Sequence, residues 1–315
     1  MTGIASNQLR SAFVAEATAG TTPSTPSFTN SDVAINMTAT PNIVEHRSLA
    51  AKGEAVETAI AGIDVTGNMS GPLVYGAYDD FFESLLQGTW ATNVLKNGKD
   101  TQSFTVENAI AAGAGGTTTM MRYLGVEATS GTLTLASNAD ATFAFDLTGM
   151  GSADTSTTAI TGATYTDQTE RTPLTSGIDV GTIAFNGYTL DAFESATINF
   201  NYEGREAQNV IGNTFTKGGI TKGALLAEIT ARVYVDSNFA SLYNAARDSD
   251  HSQFSVTFPL GSVSGSKYTL VFPKCKFVTA NLDFSGNDAM QDVTIRAMYD
   301  EATEDASVKL TRAVS

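Results

Sequence analysis

With 315 residues, 42% of them hydrophobic, the chain can bury substantial cores and is not disordered overall. Its formal net charge of −15 argues against a protein that wraps nucleic acid with Lys and Arg, and against docking on anionic membranes. The single cysteine, Cys275, rules out a disulfide within the chain and suits synthesis in a reducing cytoplasm.

At roughly 100–200 residues per domain the length suggests two domains. Residues 1–10 lack a basic start followed by an apolar run, so no secretory signal is expected. No stretch approaches the ~18 apolar residues of a membrane span. Val33, Ile35 and Met37 alternate with Ala34, Asn36 and Thr38, the period of a half-buried strand. A long polar stretch, 39–61, leads to a second strand at 63–69. Residues 78–86 (YDDFFESLL) then predict a helix, with Phe81, Phe82, Leu85 and Leu86 at helical spacing and acids in the first turn. Gly88 reads as its stop. A strand at 103–106 and a glycine-rich turn at 113–116 follow. The first half closes with a hairpin, in which Leu133 and Leu135, then Phe143, Phe145 and Leu147, alternate with polar or small residues.

The Thr-, Ser-, Ala- and Gly-rich stretch 151–174 reads as a linker or a long surface loop. Beyond it the same order returns. A strand around Ile198 precedes a long polar stretch, 201–223, and Ile229, Ala231, Val233 and Val235 alternate in another strand. A helix is predicted over 237–247, with Phe239, Leu242 and Tyr243 on one face. Residues 254–256, a glycine-rich turn at 261–265, and a last hairpin with Leu282, Phe284, Val293 and Ile295 complete the series. Ile35-Asn36-Met37 matches Ile198-Asn199-Phe200, and Phe82-Glu83-Ser84-Leu85 matches Phe239-Ala240-Ser241-Leu242. Shared order points to a duplicated module. The expectation is a mainly β protein of two tandem β-sandwich or half-barrel domains, each with one short helix: 1–150 with an N-terminal arm, a linker at 151–174, and 175–315.

Hairpins at the rim of such sheets leave unpaired edges, which a cyclic assembly removes by joining neighbouring sheets into a closed barrel. The non-core faces of the inner hairpins carry small, neutral or acidic residues: Ala34, Asn36, Thr38, Asp64, Thr66, Thr132, Thr134, Asp146, Thr197, Asn199, Glu228 and Asp283, with Arg232 and Arg296 as exceptions. A lumen lined by Asn36, Asp64, Thr66, Thr132, Thr134, Asp146, Asn199, Glu228 and Asp283 would not grip phosphates. The same pattern also suits an ordinary solvated sheet face.

Gln8-Leu9-Arg10, followed by Phe13-Val14-Ala15-Glu16-Ala17-Thr18-Ala19-Gly20-Thr21-Thr22-Pro23, resembles the "VAE-T-GTTP" opening of the major tail tube proteins of siphophages, phages with long non-contractile tails. The run from Tyr75 to Trp90 is similar to that family's helix and the tryptophan after it. Phe104-Thr105-Val106-Glu107 and Thr182-Ile183-Ala184-Phe185-Asn186-Gly187 are weaker likenesses. The second half lacks a tryptophan, so the repeat is degenerate. The resemblance implies a non-enzymatic virion protein of the tail, assembled in the host cytoplasm without cofactor or metal. Its partners would be further copies of itself in stacked rings, tail tip and terminator proteins, and the tape measure protein and DNA inside the lumen, with no sequence-specific binding and no membrane. Two such modules per chain would make a trimeric, pseudo-sixfold ring; six chains with one module lining the lumen are the alternative. In such tubes long loops reach neighbouring subunits or rings. The candidates here are Glu45, Arg47, Lys52, Glu54, Glu203, Arg205, Lys217 and Lys222, and deleting either loop is expected to leave soluble subunits that do not polymerise.

Catalytic signals are weak. His46 and His251 have no Cys or His at ligand spacing. The glycine turns lack the Gly-Lys-Ser/Thr ending of a phosphate loop. Asp248-Ser249-Asp250 and 287–292 lack the spacing of a calcium loop, and the adjacent Asp79 and Asp80 suit a helix dipole better than acid–base work. A tube subunit of a contractile injection system, another self-assembling β-rich surface protein and a carbohydrate-active β-sandwich enzyme are the alternatives. The last would want exposed aromatics around paired acids, and Trp90 is the one tryptophan.

Overall fold

Period-two alternation builds nearly every element of the computed structural model, which describes residues 4, 8–47, 53, 55–100, 102–111, 116–188, 190, 192–212, 216–247 and 253–313. The first half contains β1 (Leu9–Ala15), β2 (Ser27–Asn30), β3 (Ile35–Arg47), β4 (Ala55–Pro72), α1 (Asp79–Leu86), β5 (Val94–Lys96), β6 (Phe104–Ala111), β7 (Thr118–Ala136), β8 (Thr142–Gly149), β9 (Gly151–Ser152) and β10 (Thr164–Asp167). The second contains α2 (Ser176–Asp179), β11 (Ala184–Phe185), β12 (Phe193–Glu203), β13 (Ala224–Tyr234), α3 (Phe239–Arg247), β14 (Phe254–Leu260), β15 (Lys267–Asp283), β16 (Met290–Ala297) and β17 (Lys309–Ala313). The fold is mainly β, and both predicted helices form.

One antiparallel run of eight strands crosses the molecule in the order β3-β4-β8-β7-β12-β13-β16-β15. Each half contributes four of them. The connectivity β3-β4-α1-β6-β7-β8 recurs as β12-β13-α3-β14-β15-β16. Register repeats with it: Ile35, Met69, Phe145 and Gly131 stand side by side in the first half, and Ile198, Ile229, Ile295 and Phe277 in the second. All eight are buried.

The long strands β7 and β15 each serve two layers. The first part of β7 pairs with β6, and its second part with β8 and β12. β15 pairs first with β14 and β17, then with β16. A register break marks each crossing, between Ala128 and Ser130 and between Phe277 and Thr279, as expected where a bulge redirects a strand. Gly125 lies just before the first of these breaks, at φ +61°, where a Cβ would come within 2.7 Å of Met150. No side chain fits that conformation and space together.

The outer layer of the first half is β10-β2-β1-β6 with β7 and β9. That of the second is β11-β14-β15-β17-β5. Two stretches depart from the expected division. β5 belongs to the first half in sequence but pairs with β17. The stretch 151–174 lies along the first half's outer sheet, where β9 pairs with β7, Ser156 bridges Met120 and β10 runs parallel to β2. A single hydrophobic cluster runs from Phe13 and Phe81 through Phe143 and Phe200 to Phe272 and Val293. Full burial of each such side chain is worth about 1.5–3 kcal/mol.

α1 sits where the halves meet. Tyr268 and Arg312, both from the second half, bond to Asp79 in its first turn, and Arg312 also lies over the Trp90 ring. The left-handed residue that ends α1 is Gln87, at φ 52°, rather than Gly88. Gly88 is required for space instead, since its Cβ would fall 2.1 Å from the Lys96 carbonyl oxygen. At the N-terminus the Glu16 carboxylate accepts hydrogen bonds from Ser103 Oγ, Thr105 Oγ1 and the backbone N–H groups of Gly20 and Gly125. That cluster fixes the arm to β6 and β7.

Candidate assembly interface

The eight-strand sheet turns one side to the core and the other to solvent. Across the solvent side the registers align six threonines, one per strand: Thr142, Thr134, Thr197, Thr230, Thr294 and Thr279. The neighbouring row reads Ser70, Ala144, Thr132, Asn199, Glu228, Arg296 and Lys276. Asn36, Asn68, Asp146 and Ser130 form a third. Asn36, Asp64, Thr66, Thr132, Thr134, Asp146, Asn199 and Glu228 therefore share this side, and Asp283 lies at the end of β15.

Carboxylates on the same side neutralise its arginines. Arg232 pairs with Glu194 at 2.9 Å, Asp283 at 2.8 Å and Asp292 at 3.1 Å, and Arg296 pairs with Glu228 at 2.9 Å. Hydrogen bonds from Ser285, together with Arg232, pull the Asp283 carboxyl down to about 2. Lys217 and Asn42 hold Asp64 below the usual carboxylate range, Lys217 by the larger effect. Lys276, on the last strand, is the remaining cation of these rows. A surface so composed offers phosphate few unpaired positive charges.

Neither end of the sheet carries a further strand among the described residues, although side chains occupy single positions: Ser11 and Asn108 bond the Ile35 N–H and carbonyl on β3, and Gln291 donates to the Ala280 carbonyl on β15. Among the described strands β3 pairs with β4 alone, and the second part of β15 with β16 alone. Two antiparallel edges of this length are templates for pairing with another chain. The chain already contains one such junction: β7 pairs with β12, strands equivalent in the repeat to β15 and β3.

The two polar stretches behave differently from each other. Residues 39–61 were expected as a loop. Their described part instead extends β3 and β4 into a two-stranded arm paired as far as Arg47 and Ala55, because a hairpin satisfies its own backbone groups. Glu45 and His46 lie on this arm, and Ile43, Val44 and Ile60 are exposed there. Lys52 and Glu54 lie outside the described residues, as do His251, 248–250 and 113–115; of Arg47 the backbone alone is described. Residues 204–212 and 216–223 fold back onto the first half. Arg205 is buried there, pairs with Glu127 at 3.0 Å and donates to the Ser84 and Leu85 carbonyls. Lys217 is buried against Asp64 and Asn209, and its backbone N–H donates to the Met150 carbonyl. The Lys222 carbonyl accepts from the Gln87 amide, while Glu203 is exposed at the end of β12. Arg205 and Lys217 are thus committed within their own chain, a pairing that charge pattern alone does not disclose. The ion cluster of Arg10, Arg122 and Tyr165 around the buried Glu107 also had no sequence signal.

Among the described residues no group of three or more His, Cys, Asp or Glu is arranged to hold a metal, and no helix is long and apolar enough to cross a membrane. Cys275 is buried, which pushes its thiol up to about 12.

A search of curated proteins finds no match to the chain. A family model described as phage tail tube protein matches residues 6–307.

Proposed function

Since the chain belongs to the phage tail tube protein family, we propose that it closes into rings that stack into the tail tube of a siphophage virion and form the conduit for its DNA. The carrying observation is an eight-strand sheet with two unpaired edges and a solvent side whose arginines are already matched by acids. Joining β15 of one copy to β3 of the next removes both edges. Such a contact is heterologous, and it closes if the rotation per copy divides the circle. Each repeated unit supplies four strands to the same sheet, which favours both units lining the lumen and hence three copies in a pseudo-sixfold ring. Asn36, Asp64, Thr66, Thr132, Thr134, Asp146, Asn199, Glu228 and Asp283 then face the channel, where DNA and the tape measure protein pass without being gripped. Residues 1–150 and 175–315 act as the two ring modules, with 151–174 connecting them along the outer sheet of the first. Tail tip and terminator proteins would meet the open ends, and assembly takes place in the host cytoplasm.

Electron microscopy of the purified protein tests this directly. Hollow tubes with three subunits per ring are expected. Six chains per ring would overturn the pseudo-sixfold reading, and dispersed monomers under all conditions would overturn polymerisation.

A further inference from the structure

α1 and α3 occupy the same place in the two repeated units, each packed against the long strand that crosses layers. Their environments differ. In α1, Phe82 and Leu86 are 6% and 2% exposed; their counterparts Phe239 and Tyr243 in α3 are 37% and 42% exposed. Gln87 is buried beyond α1, whereas Asn244 is exposed. Part of the cause is local. Gly131 lets Leu85 of α1 approach β7 closely, since a Cβ there would lie 2.7 Å from Leu85 Cδ2, and Phe277 stands at the matching place under α3. The larger cause is a cover. The segment that leaves β12 crosses onto the C-terminal end of α1, where Arg205 and the Lys222 carbonyl bind its last turn. Nothing from the described part of this chain takes that position on α3.

We infer that the exposed face of α3 in one copy is covered by the β3–β4 arm of the adjoining copy in the ring. The inference rests on the ring reading above. Within the chain, β12 lies beside β7, so the segment after β12 is delivered to the helix packed on β7. If β3 of the next copy lies beside β15 in the same way, the segment after that β3 is delivered to the helix packed on β15. That segment is the arm. On one face of it Ile43 and Ile60 stand opposite each other, exposed at 61% and 52%, while Val44 lies on the other face. Exposed apolar groups on the arm thus meet exposed aromatic groups on α3, and each covers what the isolated copy leaves wet.

Two measurements test it. First, Ile43→Cys and Tyr243→Cys are placed in one chain and the assembled rings are treated with a short bis-maleimide. Cys275 is buried and contributes little background. Covalent dimers and trimers are expected from the double variant, and neither from the single variants. Second, Ile43→Asp with Ile60→Asp should leave the melting temperature of the free subunit unchanged and lower tube yield at least about tenfold. Rings that form normally without crosslinking, or tubes at wild-type yield from the aspartate variant, overturn the inference and leave the ring reading standing. A crosslinked ladder extending beyond the number of copies counted per ring also overturns it, because the arm would then be reaching the next ring. If the unsubstituted protein forms no rings, the ring reading falls and this inference falls with it.

Discussion

Arg205 holds a position where charge is costly. Its guanidinium and the Glu127 carboxylate are both almost fully buried and 3.0 Å apart. Burial raises the Glu127 carboxyl above its usual range, outweighing the Arg205 charge and hydrogen bond that pull it down. Removing one partner of such a pair leaves the other charged and dry, at a cost of about 3–5 kcal/mol. Arg205→Met should therefore be strongly destabilising near neutral pH. The pH dependence follows from the sign of the shift. A carboxyl raised in the folded state keeps its proton to higher pH than in the unfolded chain, so its burial is tolerated at low pH and costs more as pH rises through that window. Denaturant melts should show a clearly smaller loss near pH 5 than near pH 7.5; an equal loss at both would mean that Glu127 does not titrate in the variant. Arg205 looks like any loop cation in the sequence, because what makes it interior is a partner 78 positions away. Asn36, Thr132 and Glu228 were legible as one side of a sheet, since period two alone fixes their parity.

The two long stretches after β3 and after β12 show how equivalent elements diverge. One stays paired as an arm; the other folds over α1 and buries Arg205, Lys217 and Ile220. Their deletion should separate stability from assembly. Replacing 207–219 with a short Gly-Ser bridge removes Lys217 and uncovers Met150, and should cost the free subunit about 1–3 kcal/mol. Trimming the arm at 44–58, whose described side chains are exposed, should change monomer stability by no more than about 0.5 kcal/mol. Thermal melts of the two variants check this; equal losses would mean that the arm is also packed in the free subunit. Length and polarity in the sequence identified both stretches as unusual without distinguishing them. The helices were similarly legible, through Phe81, Phe82 and Leu85 and through Phe239, Leu242 and Tyr243 at helical spacing. The difference in cover between them was not, because a helix's apolar face is visible in sequence while the element that lies on it is not.

At the scale of the whole molecule, the repeat turns an internal seam into a rule for assembly. The β7–β12 junction places Thr132 opposite Asn199 and Thr134 opposite Thr197, and the order of repeated elements was readable before any strand pairing was known. The fusion of both units into one core was not readable: β5 crossing to β17, and Tyr268 and Arg312 reaching Asp79, are contacts between residues some 200 positions apart in the chain. If three such sheets enclose a channel, its charge decides how DNA moves. Arg232 and Arg296 on the channel side are held by carboxylates of the same copy, so few free cations remain to displace the counterions condensed on the phosphates. Glu228→Lys with Asp146→Lys reverses this. The first change frees Arg296 as well as adding a charge, and both positions lie on strands paired on either side, so the fold should tolerate them. Tubes of the double variant should retain fluorescent duplex DNA at about 50 mM salt and release it steeply towards about 200 mM, as counterion release requires. Unsubstituted tubes should retain little at either concentration. Equal retention by both would place these residues outside the channel.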